Sequence, residues 1–375
     1  MSSPARARVV AALGPTIAVL AALLVGAVIM IATGSNAWDA YRGLLNKAFN
    51  GKRALAEIGV YSAPLILGGL AFAAAFRAGM FNIGIEGQLV IGGFAAGLVA
   101  ALDLGLPAII HVPLGLLVAA IAGGIWGFIP GFLRATRGAH EVITTIMLNY
   151  LGFRLVTYLI QNAEGWLPVD PMGNATKRAM PEARLPKILD GTRLHLGFII
   201  AIVAAIVLWY VFTRTTLGYR IRTVGLSRGA AAYGGIPWGK TVIVAMALSG
   251  ALAGLAGAGE SMGLHGKAFA TPPGYGFTAI AVGLVGRNNP LAIIASGLLF
   301  GVLSAGAPAM QSEAGVSKEI VDVLQGLIIL AVAAFELVNR SAFLRRFTQP
   351  PAISGNDRAP SEDVEGPVTP ETGKV

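Results

Sequence analysis

The sequence predicts an all-α fold, a polytopic transmembrane helical bundle of about ten spans, or eight to ten if one glycine-rich run is broken. Three observations predict it. The chain is 55% hydrophobic and only 13% charged, where a soluble domain carries about 25% charged residues. Apolar runs of spanning length recur from the N-terminal region to about residue 338. The basic residues, which give a net charge of +9, gather in the connections between those runs. That placement reads as membrane orientation, not nucleic-acid binding.

Arg6 and Arg8 precede an apolar run over 9–32. It is longer than a signal-peptide core and lacks a convincing cleavage site, so it reads as a first span with a cytoplasmic N-terminus. Residues 34–57 mix Trp38, Tyr41 and Phe49 with charges and suit an interfacial amphipathic segment. Apolar runs follow at about 58–76, 79–101, 106–133 and 140–160. Arg134 and Arg137 mark a cytoplasmic end. The loop over 161–195 holds four prolines and five basic residues beside four acids, so charge orients it weakly. A span at about 196–213 leads into Arg214, Arg220, Arg222, Arg228 and Lys240 with no acid among them, a strongly cytoplasmic signature. Runs at about 241–260, 275–286, 290–307 and 320–338 complete the membrane part. The short run at 275–286 is the broken or re-entrant candidate. Arg340, Arg345 and Arg346 put the C-terminal end in the cytoplasm. The domain reading is therefore a membrane domain over 1–345 and a disordered cytoplasmic tail over 346–375, rich in Pro, Gly, Glu and Asp.

One internal echo stands out. Pro113 begins a run that reaches Glu141, and Pro290 begins a similar run that reaches Glu319. In this topology the two copies cross in opposite directions, the pattern of an inverted-topology repeat; the alternative is coincidence among apolar residues.

Three stretches carry chemistry. In Arg77–Gly93, Asn82, Glu86 and Gln88 interrupt an apolar sequence. Polar groups there must face protein or a wet cavity. If the segment is helical, Asn82 and Glu86 share a face that continues into Gly93 and Gly97, and Gln88 points elsewhere. The stretch reads as the wall of a translocation path, or as a polar cluster locking two helices. Glu141, Thr145 and Asn149 follow i, i+4, i+8 and form a second polar stripe, with Thr144 beside it. They line the path or act as interhelical hydrogen-bond glue. The third stretch is Gly225–Lys240 in the basic loop. Its triple alanine favours a short helix that Gly234 and Gly235 end and Pro237 keeps from continuing. A short helix on the cytoplasmic face is a docking surface for a soluble partner.

The same loop matches the P-loop pattern at Gly234–Thr241. A P-loop follows a buried strand, whereas an apolar span follows here and Pro237 removes one amide from the cradle, so nucleotide binding is not expected. The chain has no cysteine, and His111, His140, His195 and His265 lie far apart, so no metal site and no cofactor is expected. An intramembrane enzyme is disfavoured, since no nucleophile–base pair appears.

Residues 81–88, 141–150, the 225–235 loop and Gly274–Pro290 together resemble the permeases of nucleoside and simple-sugar ABC importers. That group extends to the ribose and branched-chain amino-acid permeases, and the likeness covers roughly 55–340. The resemblance implies a transport subunit of the bacterial plasma membrane, embedded in the lipid bilayer, rather than an enzyme. It implies a second permease chain, identical or different, a cytoplasmic ABC ATPase and an extracytoplasmic substrate-binding protein. It makes 225–235 the coupling helix, with Ser227, Arg228, Ala231, Ala232, Tyr233, Gly234 and Gly235 against the ATPase. The competing expectation is a self-sufficient secondary transporter or channel with Glu86 or Glu141 as a proton-linked group.

Overall fold

The computed structural model describes residues 4–316 and 318–340. The expected tail lies outside them. The chain divides into two units, 1–335 and 336–375, and the elements that build the site all belong to the first. The helices are α1 (Pro4–Ala32), α2 (Ala37–Phe49), α3 (Gly51–Phe76), α4 (Ile85–Ala101), α5 (Ala108–Arg137) and α6 (Glu141–Asn162). A hairpin of β1 (Val169–Asp170) and β2 (Ala175–Thr176) comes next, in the long loop. Then come α7 (Gly197–Arg214), α8 (Thr216–Leu226), α9 (Arg228–Tyr233), α10 (Trp238–Ala258), α11 (Tyr275–Val285), α12 (Pro290–Ala314) and α13 (Lys318–Arg340). A π-helical turn over Gly259–His265 prolongs α10.

Among the described residues six helices are long and apolar enough to cross a membrane: α3, α5, α6, α7, α10 with its π-helical turn, and α12. The apolar part of α1, α4 and α11 are shorter. Of the segment 34–57 expected at the interface, residues 37–49 form α2, which Asn36 caps by accepting from the Trp38 amide at 3.0 Å, while 51–57 open the long helix α3.

α3 is the buried axis, with every residue from Ser62 to Ala75 buried. The outward faces of α5, α6 and α7 carry Ile109, Leu117, Ile125, Ile143, Met147, Ile199 and Val203, all exposed and apolar, as lipid contact requires. Glycines let α10 lie against its neighbours almost backbone to backbone. A Cβ on Gly93 of α4 would fall 2.9 Å from the Gly257 carbonyl oxygen, and one on Gly123 of α5 would fall 2.8 Å from the Gly254 Cα.

Two helices are half-length because each begins at a break. α3 ends at Phe76 and α4 starts only at Ile85, after an irregular stretch. The π-helical turn ends at His265 and α11 starts at Tyr275. The expected span over 79–101 is corrected accordingly. Residues 80–83 are not helical, so Asn82 precedes the helix that carries Glu86, and the two share no helical face. The short run at 275–286 is the interrupted helix that its glycines suggest.

The expected repeat appears in the packing. α4 lies on α10 and α5, and α11 lies on α3 and α12, so exchanging α3 with α10 and α5 with α12 exchanges the two half-helices. Pro113 and Pro290 fall in the paired helices α5 and α12, and Glu141 and Glu319 fall at the starts of α6 and α13. Pro290 is the first residue of α12, whereas Pro113 lies inside α5.

Candidate functional site

The two ends of α10 define the two ends of the bundle. One adjoins α9. The other adjoins the hairpin loop, where the Leu185 amide donates to the Met262 carbonyl at 3.1 Å and the Ala179 amide to Gly266 at 2.8 Å. Ser249 sits midway along α10 and bonds to Asn82, so the first break climbs from the α9 end to mid-depth. α4 then runs on toward the hairpin, where Gly97 meets Ala268 and Thr176. α11 runs the opposite way and ends at the turn held by Arg77, whose Nε donates to the Asn288 carbonyl at 2.9 Å. The half-helices thus start near mid-depth and diverge, with N–H groups pointing inward at both starts.

At the first break every polar side chain has a partner. Asn82, fully buried, donates at 3.0 Å to Gln88 and at 2.8 Å to Ser249, and accepts from the Gly84 amide at 2.8 Å. Ser249 passes the chain on to the Ala71 carbonyl at 2.6 Å. The stripe on α6 faces this break, as its spacing suggests. Thr145 accepts from the Ile83 amide at 3.3 Å. Asn149 accepts from the Gly87 amide at 2.8 Å and donates to the Ile83 carbonyl at 3.0 Å. These side chains supply the hydrogen bonds that an unwound backbone loses inside a bilayer. Gln88 joins Asn82, contrary to the expectation that it points elsewhere. Thr144 is half-buried and bonds its own helix, to the His140 carbonyl at 3.3 Å and the Glu141 carbonyl at 3.1 Å. Glu141 pairs with Arg134, whose Nε lies 3.3 Å from its carboxylate.

The second break is held differently. Glu86 stands in the first turn of α4, and its carboxylate accepts from the Gly274 amide at 2.6 Å and from the Gly276 amide. Gly274 caps α11 in the left-handed region at φ 85°, which glycine adopts without strain. One side chain therefore joins the start of one half-helix to the start of the other, where both an anion and a hydrogen-bond acceptor are favoured.

Above this tie, toward the hairpin, lies a cavity of about 320 Å³ between α4, the π-helical turn and the 266–273 loop. Phe94, Phe269, Glu260, Ser261, His265 and Lys267 line it. His265 Nε2 lies 3.5 Å from the buried Glu260 carboxylate, and its ring stands edge-on to Phe269 at 5.4 Å between centroids. The hairpin roofs the loop: the Thr176 amide donates to Ala268 at 2.9 Å and the Ala270 amide to Asn174 at 3.2 Å. Lys267 reaches Asp170 at 3.4 Å, and the Gly173 amide and that ammonium hold the Asp170 carboxyl below its ordinary range. None of this is legible from spacing, because Glu260 only closes an apolar run and its partners lie in a loop whose course spacing does not give.

At the α9 end, Ser227 accepts from the Ala230 amide at 3.2 Å and caps α9, which Gly234 ends. Leu226, Arg228, Ala232, Tyr233, Gly234 and Gly235 are exposed, Tyr233 almost completely, at 98%. Arg228 rests 4.1 Å over the Trp238 ring. Ala231 corrects its expected role: it is fully buried and faces the bundle, so it cannot touch a docked partner. The P-loop match falls on the turn after α9 and the start of α10, so a helix and not a strand precedes it. Among the described residues no cluster could hold a metal ion.

The chain is similar to known proteins over most of its length. The model of the family described as "Branched-chain amino acid transport system / permease component" matches residues 54–333. A guanosine ABC transporter permease protein of Bacillus subtilis is 42% identical over 323 residues, covering 85% of this chain and 92% of the relative. A nucleoside ABC transporter permease protein of Lactococcus lactis is 37% identical over 327 residues, covering 85% and 90%. A glucose ABC transporter permease protein of Haloferax volcanii is 35% identical over 362 residues, covering 92% and 94%.

Proposed function

Because the chain belongs to the branched-chain amino acid transport system permease family, we propose that it carries nucleosides or related simple sugars across the bacterial plasma membrane, with Glu86 as its gate. The chain is a multi-pass membrane permease of an ABC system and not an enzyme; ATP hydrolysis belongs to a separate ATPase, and substrate is handed over by a binding protein. The reading pairs it with a second permease chain, identical or different, in a bilayer with both termini cytoplasmic. α1 and α13 then serve as further spans, bringing the total near ten with the half-helices included.

The single observation that carries the mechanism is the Glu86 tie between the two half-helices. Solute entering from the hairpin end meets this tie on its way to the α9 end. The exposed face of α9, with Leu226 at the end of α8 and Tyr233 at its own end, is the surface offered to the ATPase. Its motion reaches the gate through a short series of contacts. Arg77 touches Gly225 of α8 through its backbone and holds the Asn288 carbonyl, which closes α11, through its guanidinium. The same guanidinium lies 4.8 Å from the Phe212 ring of α7. Asn82, Gln88, Thr145 and Asn149 fix the frame against which α11 moves and do not themselves line the path.

The test is uptake into liposomes holding the permease pair, ATPase and binding protein, with labelled adenosine and labelled glucose as probes. ATP-dependent uptake of one of them supports the reading. Uptake by the permease alone, lost when a proton gradient is dissipated, would instead establish the secondary transporter.

A further inference from the structure

We propose that the cavity over the Glu86 tie binds the planar base of a nucleoside, and that it is the point in the membrane where nucleosides are distinguished from hexoses; this rests on the importer reading. Its volume of about 320 Å³ is at the lower end of known ligand sites, which suits one small solute. The distribution of polarity decides the class. Leu89, Val90, Phe94, Ala268 and Phe269 make most of the wall apolar. The polar groups lie on the π-helical turn and the loop after it, away from α4: Glu260, Ser261, His265, Lys267 and Thr271.

A hexose carries hydroxyls around its whole rim. Several would face Leu89, Val90 and Phe94 unpaired, at about 1–3 kcal/mol each. A nucleobase has two apolar faces for the aromatic wall and a hydrogen-bonding edge for the polar side. The Glu260 carboxylate is an acceptor and matches ring N–H and amino donors. His265, 3.5 Å from it, fixes its direction. The wall that carries Glu260 is a π-helical turn, a register that is rare and recurs at functional sites. Phe269 is 43% exposed and Glu260 only 8%. The ring can therefore be trimmed without opening a core, while the carboxylate is built in.

The experiment uses the assembled transporter in liposomes and the photoreactive probe 8-azidoadenosine. We expect irradiation to label the peptide spanning 260–273, and adenosine to suppress that labelling while glucose at equal concentration does not. Phe269→Leu should cut labelling about tenfold, the scale of one lost base-stacking contact. Glu260→Gln keeps the shape, reverses part of the edge and should also weaken labelling. Labelling confined to other helices, or equal suppression by glucose, overturns the assignment. Failure of the wild-type transporter to import either probe with ATP would overturn the importer reading itself, whereas ATP-driven adenosine uptake with labelling elsewhere defeats only the cavity.

Discussion

The two breaks in the bundle solve one problem in opposite ways. The stretch before α4 is tied on several sides by Asn82, Ser249, Thr145 and Asn149, which leave its backbone little freedom to move. The stretch before α11 hangs on one carboxylate below and on the hairpin above. A backbone held by many neutral hydrogen bonds from three helices is a frame. The lower end of the second stretch, where α11 starts, is tied by one side chain, and such a tie has two discrete states, tied and untied, as a gate needs. In the proposed gate, polar residues inside the membrane are structural at one break and functional at its counterpart, although they sit within a few residues of one another.

The largest expected effect separates the two. Glu86→Leu leaves the Gly274 and Gly276 amides without a partner in the bundle interior, and uptake per inserted molecule should fall about a hundredfold or more. Glu86→Gln keeps one acceptor and should retain part of the transport. Normal uptake per molecule by the Leu variant, with ATPase and binding protein supplied, would remove the gate.

Asn149→Leu strikes the frame and should act on folding. It orphans the Gly87 amide and the Ile83 carbonyl, a loss of about 2–4 kcal/mol. The measurement is thermal unfolding in detergent, where the variant should melt earlier than Glu86→Gln. Equal melting with selective loss of transport would move Asn149 from frame to path.

The drive to the gate is tested at α9 by contrast. Tyr233→Ala removes an exposed ring and should reduce co-purification of the ATPase and uptake by about tenfold without lowering the melting temperature. Ala231→Arg forces a charge into a buried site and should lower stability instead. The opposite pattern would invert the assignment of α9's two faces.

The smallest effect belongs to the roof of the second break. His195 precedes α7, accepts from the Gly197 amide at 3.1 Å and packs on Gly263 of the π-helical turn. Burial pushes its pKa down from 6.5 to about 4. The folded state therefore favours the neutral ring, and the unfolded chain binds the extra proton first. This stability is fully present above pH 6.5 and is lost as pH falls toward 4, by about 1.5 kcal/mol between pH 6.5 and 5. Melting curves at those two values check it, and His195→Gln should flatten the difference.

Much of this is legible in the sequence. The i, i+4, i+8 spacing identifies the buried face of α6, and serine before a triple alanine with a double glycine after it locates α9. Glycine-rich 275–286 announces an interrupted helix. The rest depends on partners far along the chain. Helix α4 begins at Ile85 because Thr145 and Asn149, about sixty residues away, take up the backbone groups before it. No local periodicity sets that boundary, so spacing alone puts Asn82 and Glu86 on one face. It gives Ala231 no side either, since a six-residue helix has nearly equal apolar faces. Glu260 is hidden because it only closes an apolar run, and the loop that closes the cavity over it comes from residues whose course no local spacing sets.

The central claim is that α11 moves against a fixed α4. The chain has no cysteine, so single cysteines report cleanly. Ala279 on α11 and Ala96 on α4 are both fully buried. In the assembled transporter, maleimide labelling of Ala279→Cys and Ala96→Cys is measured at rest and during ATP turnover. The account predicts that both are protected at rest and that turnover exposes position 279 alone. Protection of Ala279→Cys unchanged under turnover, or equal exposure of both positions, would contradict it.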